Sequence, residues 1–360
     1  MPVTFTIHSD NTVTHADGRI AFFGMNRFIS EIASGTHCFI CGRSPSECEF
    51  NAEHILPKWV LHAGDLFAPG KSMTLPNGKP YKYGLFTIPC CVKCNGDLNM
   101  AYEQVIKPLI DSGYAAVARY LDQHGSKLFF QWLALIYLKT HLLDTRVLVD
   151  LNRKTSDGTK IGDLYDWATL HHVHCIARVH HSGAPVEGDV GTFMAFPADT
   201  TPGYPAFDYA DLYDSRTIML RVGEVAFFAV LNDAGQIGGT YPRAQALATS
   251  LRGTKGLTPL QIREMYAEVV FRSLGLRSRP RFYTEISPTF RIVVERAGYI
   301  DIQPPTEPSY GQLLYFLAEP YLIYVDPSKR DEVKEALSNG TISFFTDHVP
   351  AFPDPGSVPD

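Results

Sequence analysis

The longest run of apolar positions is "LFFQWLALIYLKTHLL", Leu128 to Leu143, apolar on nearly all faces and broken only by Gln131, Lys139 and His141. A helix that is hydrophobic all round belongs in a core. This one is too short and too polar to cross a bilayer, which takes about 20 apolar residues. Ser126 stands before it as a candidate N-cap, and "YAAVARYLDQHG", Tyr114 to Gly125, predicts a second helix packed beside it. The polar stretch "DLNRKTSDGTKIGD" then closes the helical region.

Beyond that break the period changes. "HVHCIARV" alternates, with Val173, Cys175, Ala177 and Val179 on one face and His172, His174, Ile176 and Arg178 on the other, which predicts a strand. Ser215 to Gly239 predicts two strands joined near Gly223 and ended by the turn-forming "NDAG". In "TPLQIREMYAEVVFRSLG" Thr258 caps, Pro259 takes the first turn, Gln261 completes a capping box and Gly275 closes. The apolar stripe of this helix is Ile262, Met265, Val269 and Tyr266. "RFYTEISPTFRIVVERAG" and "LIYVD" predict further short strands, "PSKRDEVKEALSNG" a surface helix ended by Gly340, and residues 349–360 a Pro-rich disordered tail.

Composition narrows the class. At 360 residues, 45% hydrophobic and 19% charged, the chain is an ordinary globular protein too long for one core, so a small module with a larger domain is expected. A net charge of -6 excludes a uniformly basic body, and any site for a polyanion has to be local. The opening residues carry neither a basic region nor an apolar one, so no secretory signal is read and a reducing cytoplasm is the expected location.

In a reducing compartment clustered cysteines point to metal. Cys38-x2-Cys41 and Cys91-x2-Cys94 are two CxxC pairs, each able to clip a tetrahedral ion from a tight turn, and Cys90, Cys48 and His37 are spare ligands. Zinc suits four thiolates, and such an ion is structural because no coordination position stays open. Chemistry would then come from what the ion holds in place. Between the pairs lies "NAEHILPKWV", predicting a strand with Glu53 and His54. After the second pair, a helix starting near Asn95 or Gly96 would set Asn95, Asn99 and Glu103 on one face.

A CxxC, then an acidic residue followed by His, two apolar residues and Pro, then a second CxxC followed at once by Asn: this string, over about residues 36–110, resembles the HNH, or ββα-metal, nuclease family. The resemblance implies an α+β chain that begins with a zinc-stapled ββα-metal module and hydrolyses phosphodiester bonds in nucleic acid. It implies His54 as the base that activates water, and Glu53 as a ligand of a catalytic Mg²⁺ or Mn²⁺. Asn95 is implied as the second ligand of that ion, with Asn99 an alternative and Glu103 a less favoured one. Neutral imidazole near pH 7 suits the base. The family's middle Asn has no counterpart in "LFTIPC", where Phe86 and Thr87 stand, and Thr87 is the residue that could orient His54 in its place.

The rest of the chain is read from its residues alone. Arg243 to Arg296 is the one clearly basic region, including Arg252, Lys255, Arg263, Arg272, Arg277, Arg279, Arg281 and Arg291. "RSRPRFY" interleaves Arg277, Arg279 and Arg281 with aromatics, as phosphate contact with base stacking requires, and Lys58 joins them as a candidate contact. His171, His172, His174, His180 and His181 invite a metal, but with no third ligand in reach an exposed strand face is the better reading. No phosphate-loop, dinucleotide or GxSxG pattern is present.

The expected organisation is a nuclease module at 1–110, a helical connector at 111–160, and a mixed antiparallel-sheet and helix domain at 161–348 for targeting or regulation. This architecture resembles standalone nucleases of bacterial restriction and anti-phage systems. DNA is the expected substrate, with RNA the other nucleic acid open to it, and a co-encoded protein or a second copy the expected partner. Two further readings stand beside the endonuclease: an effector gated by a partner or ligand, and a non-catalytic zinc-knuckle adaptor.

Overall fold

The apolar run folds as a helix, Lys127–Asp144, in which every residue from Phe129 to Asp144 is buried. Three of its buried polar residues have partners. Lys139 bonds Glu53 and the His54 carbonyl, His141 Nδ1 donates to the Tyr137 carbonyl, and Asp144 accepts from the Tyr165 hydroxyl. A core helix can carry these three because each is bonded. Ser126 stands at the predicted cap position, yet its side chain makes no capping bond.

The computed structural model describes residues 5–152, 154–241, 256–285, 291–295, 301–305 and 308–346. It is mixed α and β, with antiparallel sheets. Two compact units emerge. The first holds the chain up to Leu109, Leu121–Gly188 and Arg281–Glu295; the second holds Ile110–Tyr120, Asp189–Pro280 and the chain from Arg296 onward. The first segment ends at Leu109, beside the expected edge at 110; the central helix and residues 161–188 are grouped with the cysteines, as is the segment Arg281–Glu295. Linear polarity marks loops, and a loop is not by itself a domain edge.

In the first unit β1 (Phe5–Ile7), β2 (Val13–His15) and β3 (Ile20–Phe22) form an antiparallel meander. The strand β4 (Phe50–His54) is followed by the helix Lys58–Ala63 and the hairpin β5 (Ser72–Thr74) and β6 (Pro80–Lys82). It then pairs antiparallel with β7 (Thr87–Cys91), in a register that sets Asn51 opposite Cys90, Glu53 opposite Ile88 and His54 opposite Thr87. The knuckle helix Val92–Leu98 follows β7 directly, capped by the Cys91 sulfur accepting from the Cys94 N–H. Only the first half of "NAEHILPKWV" is therefore strand. Pro57 ends it, occupying the cap position of the next helix, where a residue without an N–H loses nothing.

"HVHCIARV" is a helix, His171–Ala177, not the predicted strand. The reason lies in its polar residues: His171, His174 and Arg178 recur at helical spacing, and all three are buried. The predicted strands Arg281–Glu285 and Arg291–Glu295 form, pair antiparallel with each other, and add to the short strand β8 (Val186–Glu187).

The second unit is built on a four-stranded antiparallel sheet of β9 (Thr192–Pro197), β10 (Phe207–Leu212), β11 (Thr217–Val222) and β12 (Val225–Val230), in the order β10-β11-β12-β9. Gly223, at φ 56°, makes the predicted tight turn. The helix Pro259–Leu274 begins with the predicted capping box, Thr258 and Gln261 each bonding the other's backbone N–H. Its Ile262, Met265, Tyr266 and Val269 lie in the core with Met219 and Phe228 of the sheet. The segment read as the strand "LIYVD" is instead a 3-10 turn, Glu319–Tyr324, continuing the helix Tyr310–Ala318. The surface helix forms at Arg330–Ser338, and Gly340 after it takes φ 65°. Arg243, Arg252, Lys255, Arg296 and the tail at 349–360 lie outside the described residues.

Candidate metal centre and the adjoining acid-base cluster

The Sγ atoms of Cys38, Cys41, Cys91 and Cys94 all lie within 4.8 Å of one another. Four sulfurs about 2.3 Å from one zinc ion would stand about 3.8 Å apart, and Cys41 to Cys91 measures 3.7 Å. The donor set and its spacing fit a tetrahedral thiophilic ion. Close contacts from Cys41, Cys90 and Cys94 favour the thiolate of Cys38, and thiolates are the form that binds such an ion. Cys90 touches Cys38 at 3.8 Å and stands outside the four-sulfur group.

The first knuckle is clamped from a distant part of the chain. His174 Nε2 donates to the Phe39 carbonyl at 2.8 Å and Arg178 Nε to the Ile40 carbonyl at 2.5 Å, so both residues between Cys38 and Cys41 are held by one helix and its end. Arg178 also reaches the Ile20 carbonyl at 2.8 Å, and His171 Nε2 donates to Phe23. Full burial drives His174 well below the ordinary histidine range, which keeps it neutral. The histidine run is thus a buried brace, where sequence alternation had set it on an exposed face. The signal that finds it is the three-and-four spacing of its polar members.

At the far end of β4 lies an ionisable cluster. Glu53 is 7% exposed, and Lys139 Nζ lies 2.8 Å from its Oε1 and 2.7 Å from the His54 carbonyl oxygen. Sequence reasoning registered Lys139 only as a break in an apolar run. The half-buried His54 ring is pulled below its ordinary value by burial and then by the Lys58 charge, against the pull of Glu53. Glu103 joins the group. Burial raises its carboxyl, Lys139 draws it back, and Glu53 pushes in the same direction as burial.

The structure separates the three residues expected on one helical face. Asn95 Nδ2 donates to Asn51 Oδ1 at 2.9 Å, tying the knuckle helix to the strand two residues before Glu53. A π-turn, Asn99–Glu103, follows and inserts extra backbone. Asn99 therefore faces solvent while Glu103 turns inward, and the fourfold spacing on which their shared face depended is lost. Thr87 sits directly across from His54, but its hydroxyl bonds the Leu85 carbonyl at 3.5 Å, so no contact that would orient the imidazole is made there.

The candidate nucleic-acid contacts divide. Lys58 is exposed at the start of its helix, and Arg277 and Arg281 are exposed. Arg279 is committed internally, donating to Asn232 Oδ1 at 2.7 Å and to the Ser273 carbonyl at 2.6 Å. Arg263 is buried against Asp208, and Arg291 pairs with Glu285 and Glu187. Much of the basic segment is therefore used by the fold.

No protein-family model, curated protein or solved structure matches this chain. Among the described residues, no helix is long and apolar enough to cross a membrane.

Proposed function

We propose that this chain is a metal-dependent endonuclease of the HNH type that hydrolyses phosphodiester bonds in DNA, and that it serves bacterial defence. The observation that carries the reading is His54: a half-buried imidazole held neutral by burial and by Lys58. It follows a buried carboxylate on a strand whose hairpin ends in the cysteine cluster. A neutral imidazole accepts a proton from an attacking water at physiological pH. Among the described residues none hydrogen-bonds the His54 ring, which leaves its nitrogens to that water.

Glu53 and Asn95 are the residues that would hold Mg²⁺ or Mn²⁺. Glu53 has a second carboxylate oxygen beyond the one bonded to Lys139, and donation from Asn95 Nδ2 to Asn51 leaves the Asn95 carbonyl oxygen as an acceptor. Oxygen donors of this kind suit a hard cation. When bound, such an ion stabilises negative charge on the phosphate and on the leaving oxygen. A zinc ion held by the four cysteines would keep β7 and the knuckle helix fixed, and with them Asn95.

A second reading, a nucleic-acid adaptor without catalysis, draws support from the Lys139 ammonium that already balances Glu53. Supercoiled plasmid incubated with wild type and His54→Ala, in Mg²⁺, Mn²⁺ or EDTA, separates the two. Nicking that needs the divalent ion and disappears in His54→Ala is expected. Binding without nicking in every metal supports the adaptor, and nicking that survives His54→Ala overturns the proposed base.

A further inference from the structure

The cysteine cluster has a neighbour that the nuclease reading does not use. Cys94, Asp97 and His181 place one sulfur, one carboxylate oxygen and one imidazole nitrogen within 4.8 Å of each other. We propose that the chain holds a second zinc ion there, with the Cys94 thiolate shared between it and the four-cysteine ion.

Each ligand arrives for a local reason. Cys94 and Asp97 are three residues apart on the knuckle helix Val92–Leu98, which stacks them one turn above the other. His181 comes from the short turn after the histidine brace, the segment that also anchors Arg19 through its carbonyl oxygen. The sequence alone offers those histidines no third ligand. The fold supplies two.

The state of His181 is the second observation. Its Nε2 is buried and has no hydrogen-bond partner, not even the sulfur beside it. Buried ring nitrogens in native proteins are almost always bonded, and an exception calls for an ion or a water. A mixed sulfur, nitrogen and oxygen donor set is one that zinc accepts.

Charge points the same way. One zinc ion among four thiolates leaves two negative charges in a buried place. Two zinc ions against four thiolates and the Asp97 carboxylate leave one. Arg178, fully buried and within electrostatic reach of Cys38, Cys41 and Cys94, carries the matching positive charge. The competitor for Asp97 is Lys93, 2.7 Å from its Oδ2. Its side chain is 75% exposed, and an exposed pair of that kind adds little stability.

Three protein ligands leave a fourth position. The three ligands line a cavity of about 450 Å³ together with Arg19, Arg43, Lys93 and His180. An open fourth position keeps an exchangeable ligand, in contrast to the closed four-cysteine site.

The inference rests on the four-cysteine ion and is independent of the nuclease reading. Zinc per chain is measured by plasma mass spectrometry on the full chain after exchange into metal-free buffer, for wild type, His181→Ala and Asp97→Asn. Two ions in wild type and one in each variant are expected. Asp97→Asn changes a partly exposed side chain and keeps the test informative if His181→Ala fails to fold. Cobalt titration of the zinc-free protein gives an independent reading: a second equivalent binds in wild type and not in the variants. One ion per chain in wild type, or two that persist in both variants, overturns the proposal.

Discussion

Lys139 Nζ lies 2.8 Å from Glu53 Oε1 and 2.7 Å from the carbonyl oxygen of His54, so one ammonium on the central helix fixes both residues on which the proposed chemistry rests. The pair is nearly solvent-free, with the two side chains 2% and 9% exposed. Removing one partner of such a pair strands the other's charge, at a cost of about 3–5 kcal/mol. Lys139→Met is expected to lower unfolding stability by that amount, and the double variant with Glu53→Gln to recover part of it. Urea melts of the four-member cycle check this, and additive losses would show that the pair is not coupled.

On the proposed mechanism His54 sets the pH dependence of cleavage. As the base it works only when neutral, and burial together with Lys58 holds its pKa below the ordinary 6.5. Activity should therefore rise with pH along an acid limb whose midpoint lies below 6.5. Lys58→Gln removes a repelling charge and moves that midpoint upward. Rate profiles from pH 5 to 8 for both proteins test the sign of the shift. His54→Ala should cost about 10²- to 10⁴-fold in rate, as loss of a general base does.

Zinc removal should disturb the first unit directly. Structural zinc contributes an apparent binding free energy of about 10–16 kcal/mol in small zinc-dependent folds. A strong chelator at neutral pH, or Cys41→Ser, is expected to abolish protection of the β4–β7 amides in hydrogen exchange, and full protection after zinc loss would contradict a structural ion.

The brace can be cut without touching a ligand. Arg178→Met leaves the Ile40 and Ile20 carbonyls buried without their donors, at about 1–3 kcal/mol for each stranded group. Faster zinc release than wild type, followed with a chromogenic chelator, is the expected outcome. Lys at this position keeps the charge and not the planar fork, and should rescue little.

The arginines offer a test of surface against core. Arg279→Ala should lower stability, since Asn232 and Ser273 lose a shared donor. Arg277→Ala and Arg281→Ala should leave stability unchanged and weaken DNA binding with a shallower salt dependence. Fluorescence anisotropy at several salt concentrations, beside thermal melts, distinguishes the two.

Local signals in the sequence were read correctly where the local chain decides the outcome. The Thr258–Gln261 capping box, the Gly223 turn and the cysteine pairs each act within a few residues, and the structure shows them. Misreadings arose where distant partners decide. His172, His174, Ile176 and Arg178 alternate like strand residues, yet the bonds of His171, His174 and Arg178 go to carbonyls about 140 residues earlier, and those bonds select the helix. Lys139 looked like noise in an apolar run because its partner lies 86 residues away. The π-turn after Leu98 has no pattern in spacing, so the shared face of Asn95, Asn99 and Glu103 could not survive it.

The hairpin Arg281–Glu285 and Arg291–Glu295 belongs to the same unit as the cysteines, and Phe282 stacks on His172 with ring centroids 4.2 Å apart. On the ribosome, every cysteine and His54 therefore emerge long before the strands that complete their unit. A nascent or truncated chain ending near Pro280 carries the whole proposed cutting apparatus in an unfinished body. The unit that holds Cys38 to Cys94 and His54 is thus completed only by strands made after the sheet and the long helix of the second unit.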